Sequence, residues 1–281
     1  MKESRASRRD TMRLIDTHAH IHDRDFDGDV DEAIARAAEA GVATILTLGV
    51  NARDSRAAVA LAEREPRVLA AAGVHPHDAK DASDRDLDEL EELARHQRVA
   101  AVGEIGLDFY RNLSPRDDQL RVLRRQLLTA QRAGKPVAVH ARDAHDTMLP
   151  ELERWSREAG GRLPDGRPLG VMHYFSGDAA LALRYIELGF VISVHTSVTH
   201  PKSETLREVA RAVPLDRMVI ETDSPYGAPQ RYRGRRNEPA YVAEAARAIA
   251  EARGIDIEEV ARATTATAEA LLGLRAAVKG A

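Results

Sequence analysis

The 281-residue chain predicts a single (β/α)8 barrel, and three observations carry that expectation. Short apolar runs alternate with helical periods about eight times, the signature of βα units on a parallel sheet. The runs are continuously apolar rather than alternating, as suits strands covered on both faces. No low-complexity linker interrupts them, and an α/β barrel of about 250 residues forms one domain. A doubly wound sheet is the competing architecture.

Residues 1–11 (MKESRASRRDT) are polar and are expected to form a disordered tail, which leaves 12–281 as the barrel domain. The first strand is read as RLIDTHAH from Arg13, followed by ATILTLGV from Ala43, VLAAAGVHP from Val68 and VAAVGEIGLD from Val99. The second half supplies PVAVHAR from Pro136, LGVMHYFSG from Leu169, FVISVHT from Phe190 and MVIETD from Met218. After the fourth strand, Ser114 is the expected N-cap of a helix with Pro115 at its first position. Leu120, Leu123, Leu127 and Ala130 form its apolar stripe, and Gly134 stops it. The last helix opens with Asp256 and Glu259 at capping-box spacing, turns Ile257, Val260 and Leu271 inward, and is expected to close the barrel. The stretch GGRLPDGRPL at 160–169 is too short to separate domains.

Composition restricts the chemistry. With 41 Lys+Arg against 45 Asp+Glu the formal charge is -4, so a polyanion can be met only by a local basic patch. Cysteine is absent, which removes thiol nucleophiles and thiolate metal ligands together. No apolar stretch approaches the ~18 residues of a membrane span and the N-terminus has no signal-like apolar segment, so a soluble cytoplasmic protein is expected.

Ligand-type residues end seven of the eight runs: His18 with His20, His75, Glu104, His140, His173, His195 and Asp223. In a parallel barrel those ends form one rim, where active sites are built. His18 and His20 lie two apart in a strand and point to one side, so two neutral imidazoles can share a cation. Glu104 stands between Gly103 and Gly106, and a carboxylate there can bridge two cations. Two metals stabilise both oxygens of a phosphoester displacement and supply hydroxide near neutral pH without a side-chain nucleophile. Asp223 is suited to bind metal and to take the proton of water. The required basic patch is Arg231, Arg233, Arg235 and Arg236, directly after Asp223. Phe109, Tyr110, Tyr174, Phe175, Tyr226 and Tyr232 follow strand ends and either stack unpaired bases or pack the upper barrel.

DTHAHI, GVHP, GEIGLD, PVAVHAR, HYFSG, ETDSPY and RGRRNEP, in that order, resemble the motif series of the TatD family of metal-dependent deoxyribonucleases, amidohydrolase-like TIM barrels. The resemblance covers residues 13 to 272. It implies that His18, His20, Glu104 and Asp223 hold one divalent ion and Glu104, His140 and His173 a second, with Glu104 bridging, the metals being Mg, Mn or Zn. It places His75 near the substrate phosphate and makes DNA the substrate, cleaved stepwise from the 3' end of single strands. Arg142, Arg233, Arg235, Arg236, Tyr174 and Phe175 are the remaining expected substrate contacts, Asp223 and Glu104 the catalytic pair. Thr267 and Leu272 stand where the family usually shows Asn and Phe, a departure that bears on helix packing. His22, His77, His195 and His200 receive no role.

Three other readings compete. Barrel hydrolases of amides, lactones or phosphotriesters often bridge their metals with a modified lysine, but strand four carries Glu104 and no lysine. A non-catalytic metal-dependent nucleic-acid binder would have lost a ligand, and none is missing. Hydrolysis of another nucleic-acid ester, such as an aminoacyl-tRNA, uses the same metal site and stays open. No membrane contact and no obligate protein partner is expected.

Overall fold

Eight parallel strands pair in chain order, β1 (Leu14–Ala19), β2 (Val42–Leu48), β3 (Val68–Ala72), β4 (Val99–Asp108), β5 (Val137–Arg142), β6 (Gly170–Met172), β7 (Phe190–His195) and β8 (Met218–Glu221). The computed structural model describes residues 12–274, so the tail expected at 1–11 lies outside the described residues. Helices α1 (Val30–Glu39), α2 (Ala52–Arg64), α3 (Asp84–Leu93), α4 (Arg116–Ala133), α5 (His145–Ala159), α6 (Ala179–Glu187), α7 (Glu204–Ala212), α8 (Val242–Arg253) and α9 (Ile257–Leu272) alternate with the strands or follow them. The ring is completed where β1 meets β8: Asp223 N–H donates to His18 O at 2.9 Å and His20 N–H to Ser224 O at 2.7 Å. Among the described residues no helix is long and apolar enough to cross a membrane.

The apolar residues divide into two layers. One fills the space between strands and outer helices, where Leu123, Leu127 and Ala130 of α4 are buried and each leucine contributes roughly 1.5–3 kcal/mol. The other fills the barrel interior with Ile15, Leu48, Leu69, Ala101, Val171, Val191 and Val219, and Leu271 and Leu272 of α9 belong to it. Thr265 Oγ1 donates to Arg13 O and Thr267 Oγ1 to Leu215 O, residues that precede β1 and β8. Thus α9 seals the N-terminal mouth, opposite the strand ends that carry the histidines. Thr267 and Leu272 are both buried there, in a packing role.

Several local expectations are corrected. Ser114 is not the cap of α4, because its hydroxyl donates to His77 O and accepts from Lys80 N; Pro115 occupies the cap position without a side-chain bond. Gly134 ends α4 at φ +62° as expected. Asp256 caps α9 with no side-chain bond, and its backbone carbonyl takes the Glu259 N–H instead. The sixth strand stops at Met172 rather than running to Gly177, since Tyr174 turns to φ +44°.

Candidate metal centre

β1 carries His18 and, just past its end, His20, whose Nε2 atoms stand 3.2 Å apart. His20 Nδ1 lies 2.8 Å from Leu48 O; a carbonyl only accepts, so Nδ1 holds a proton and Nε2 faces the centre. β4 delivers Glu104 between two groups of imidazoles. Its Oε2 lies 3.3 Å from His18 Nε2 and 3.6 Å from His20 Nε2. Its Oε1 lies 3.0 Å from His140 Nδ1, 3.5 Å from His75 Nε2 and 3.5 Å from His173 Nε2. Asp223 faces the first group, with Oδ1 3.6 Å from His20 Nε2, 3.8 Å from His18 Nε2 and 3.9 Å from His173 Nε2.

The backbone makes this convergence possible. Gly106 pairs with His140, and a Cβ at Gly106, where φ is +151°, would lie 1.9 Å from His140 O. At Gly103 a Cβ would meet the Ala138 Cβ at 2.8 Å. β4 therefore lies closer to β5 than side chains at these two positions allow, which sets Glu104 against His140. On the other side Asp16, buried at the seam, accepts from Thr222 N–H at 2.9 Å and Thr222 Oγ1–H at 2.6 Å. That clamp holds the start of the Asp223 turn against β1.

Ligand atoms of His18, His20 and Glu104, and separately of His75, Glu104 and His140, gather within 4.8 Å of one another. Imidazole nitrogens around a shared carboxylate fit a divalent cation of borderline softness such as Zn. A third group, His18, His173 and Glu221, lies beside them.

The matching family is described as TatD related DNase, over residues 15–273. The chain belongs to the TatD family. It is 37% identical to the "uncharacterized metal-dependent hydrolase YabD" of Bacillus subtilis, over 92% of this chain and 98% of that one. It is 35% identical to the "3'-5' ssDNA/RNA exonuclease TatD" of Salmonella typhimurium, again over 92% and 98%. The crystal structure of the TatD homologue YJJV from Escherichia coli K12 superposes with a TM-score of 0.84 at 32% identity, over 94% of this chain and all of that one. The chain is thus a metal-dependent hydrolase of the TatD family, with buried His and Glu groups able to bind metal.

Two buried carboxylates of this TatD-family centre, Asp108 at the end of β4 and Glu221 at the end of β8, were not among the expected site residues. Glu221 Oε1 lies 2.9 Å from His173 Nδ1 and accepts the Tyr174 N–H at 2.7 Å. Asp108 Oδ2 lies 2.7 Å from His77 Nε2 and 3.4 Å from His140 Nε2. Both stand beside a histidine at the nitrogen turned away from Glu104, the placement of carboxylates that orient metal ligands. Their signal was parity, since Glu221 is two residues before Asp223 and Asp108 four after Glu104.

The unassigned histidines have partners or a packing place. His22 contacts Thr47 Oγ1 at 2.7 Å and Asp54 Oδ2 at 3.0 Å, and His200 Nε2 donates to Ala228 O at 2.9 Å. His195, buried, stacks on Tyr174 with ring centroids 3.6 Å apart. His75, expected at the substrate phosphate, stands at ligand range beside His140. Two expected substrate contacts are corrected. Phe175 is 2% exposed and packed against Tyr185, which leaves no ring face for a base. Arg236 spends its guanidinium on Asp29, Glu238 and Asp25 O. Arg142, Arg233 and Arg235 are exposed and form no ion pair among the described residues.

The electrostatics separate these ligands. Burial, with His173 stacked alongside, pushes His18 down to about 3 and keeps it neutral. Burial also works against charge on His20, but Asp223 and Glu104 carry it up to about 9; Asp108 and Glu104 do the same for His140. Glu104 is buried, yet the imidazoles around it hold it well below the usual carboxylate range. These raised imidazoles stabilise the metal-free fold fully below the ordinary value of 6.5, and that contribution is lost as pH rises through about 9. A metal must displace those protons. Affinity should therefore climb with pH and level off above about 9, with proton release seen by calorimetry in buffers of different ionisation enthalpy. Uptake that is flat with pH and releases no protons would contradict this electrostatic picture.

Proposed function

We propose that the chain hydrolyses phosphodiester bonds in DNA with two divalent ions, as a 3'-5' exonuclease on single strands. The observation that carries this reading is Glu104, whose two oxygens face separate groups of imidazoles. Its support for the substrate is the exonuclease name of the Salmonella relative. His18, His20, Glu104 and Asp223 would hold one ion, and Glu104, His140 and His173 the other, as Mg, Mn or Zn. When bound, divalent ions supply Lewis acidity toward a phosphodiester and lower the pKa of water to near neutral. The side chain of Asp223 is 16% exposed against 4% for Glu104, so Asp223 reaches the open mouth and takes the proton of the attacking water. His75 lies between ligand and substrate positions, and Arg142, Arg233, Arg235 and Tyr174 border the mouth as substrate contacts. The deciding experiment incubates metal-free protein with labelled single- and double-stranded DNA, RNA and an amide panel under each ion. Stepwise products from the 3' end of single-stranded DNA are expected; cleavage of the amides alone would overturn the reading.

The loop after β8 is pinned by buried Asn237, whose Nδ2 donates to Thr222 O at 2.8 Å and Tyr226 O at 2.6 Å, and it presents Arg233 and Arg235 to solvent. Each arginine on a phosphate contributes about -0.7 to the slope of log affinity against log salt for a single strand. Replacing both with Ala should flatten that slope by about 1.4 units, whereas Arg236→Ala should chiefly loosen the contact with α1. An unchanged slope in the double variant would remove these two from the substrate path.

A further inference from the structure

We propose that Tyr110 and Arg142 form a subsite for one unpaired nucleobase and its phosphate, outward from the metal centre along β4 and β5; the inference rests on the nucleic-acid reading above. The register pairs Gly106 with His140 and Asp108 with Arg142, so both strands run on past the ligand His140. Two residues of strand carry Arg142 about 6–7 Å beyond it. Phe109 N–H still bonds to Arg142 O at 2.9 Å, which brings Tyr110 alongside.

Exposure singles out the same place. Among the described residues the exposed large apolar side chains are Tyr110 at 62%, Leu113 at 48%, Tyr226 at 58%, and Leu128 and Leu183 on the outer helices. Tyr110 and Leu113 share the β4–α4 loop, and Tyr226 stands across the mouth with its ring 6.3 Å from that of His20. The Arg142 guanidinium lies 3.9 Å from the Tyr110 ring centroid. With no carboxylate partner among the described residues, its fork is available to a phosphate, while the ring face turned away from the guanidinium is left for a base.

The loop is also held in place. Arg111 N–H donates to Asp108 Oδ1 at 2.7 Å, Ser114 Oγ–H to His77 O at 2.7 Å, and Gln119 Nε2–H to Ser114 O at 2.8 Å. Asp108 and His77 are the groups that contact His140 or its carboxylate, so the platform and the centre share one frame. An exposed aromatic ring fixed in this way binds with little ordering cost. Its exposure means that it adds little to the core, and charge complementarity with the free arginine favours a nucleotide over an apolar partner.

An abasic residue walked along a single-stranded oligonucleotide tests this. In the wild type, one abasic position should lower kcat/KM about tenfold, within the range that stacking on an aromatic side chain supplies. Tyr110→Ala should lose a similar factor on the intact strand, mainly through KM, and lose nothing further at that one position; Tyr110→Phe should behave as the wild type. A Tyr110→Ala protein that degrades the intact strand as the wild type does would overturn the subsite alone, as would a loss that is additive at every abasic position. A wild type that degrades no oligonucleotide while hydrolysing a small ester would overturn the nuclease reading, and the subsite with it.

Discussion

Glu104→Gln should abolish metal-dependent hydrolysis and lower metal content while leaving the barrel folded. The substitution keeps volume and one acceptor but removes the charge that faces both groups of imidazoles, through Oε2 toward His18 and His20 and through Oε1 toward His140. Losing an outer partner of a metal ligand costs about 10–100-fold in affinity or activity, so a shared inner carboxylate should cost more than about 100-fold. Stability of the metal-free protein should fall at acidic and neutral pH, where the raised imidazoles contribute, and change little above about 9, because a neutral amide strands no buried charge and His20 and His140 can shed their protons. The metal-free variant gives an independent readout. The pKa values of His20 and His140, carried up to about 9 in part by Glu104, should fall toward the ordinary 6.5 in an NMR titration. Turnover and metal content equal to wild type would remove Glu104 from the bridging position.

What could be read in advance follows the range of the interactions. β4 coincides with the run expected from Val99 to Asp108, since a strand buried on both faces needs only a continuous apolar pattern. His18, His20, Glu104 and His140 were legible because strand parity and the rim of a parallel barrel are local and topological rules. Arg236 was not, since its partner Asp29 lies 207 residues away and nothing local says that α1 turns its first residues to the β8 loop. Phe175 failed for the opposite reason: a positive φ at Tyr174 reverses the chain and sends the next ring into the core. Glu221 and Asp108 were hidden inside motifs already explained by a neighbour. Only the distances to His173 and His140 separate an orienting carboxylate from a ligand.

Asp223→Asn should lower kcat by about 10² or more even where metal is retained, the cost typical of losing a positioned general base. Asp223 sits at φ +61°, its N–H bonded to His18 O at 2.9 Å, and asparagine tolerates that left-handed conformation at least as well as aspartate. The amide therefore keeps the turn, the seam between β1 and β8 and an oxygen toward His20, and loses only negative charge and basicity. His20 should respond first, because Asp223 is the strongest of the groups that raise it, and its pKa should drop in the metal-free variant. Glu104 Oε1 and its imidazoles do not depend on Asp223 for position, so metal at that side should persist. The separating measurement is the pH profile of kcat at saturating metal. Loss of a proton-accepting base should leave kcat low across the whole profile, whereas loss of a ligand alone should be recovered by added metal. A variant that regains wild-type kcat on metal addition would assign Asp223 to metal binding only and move proton acceptance to another group at the mouth.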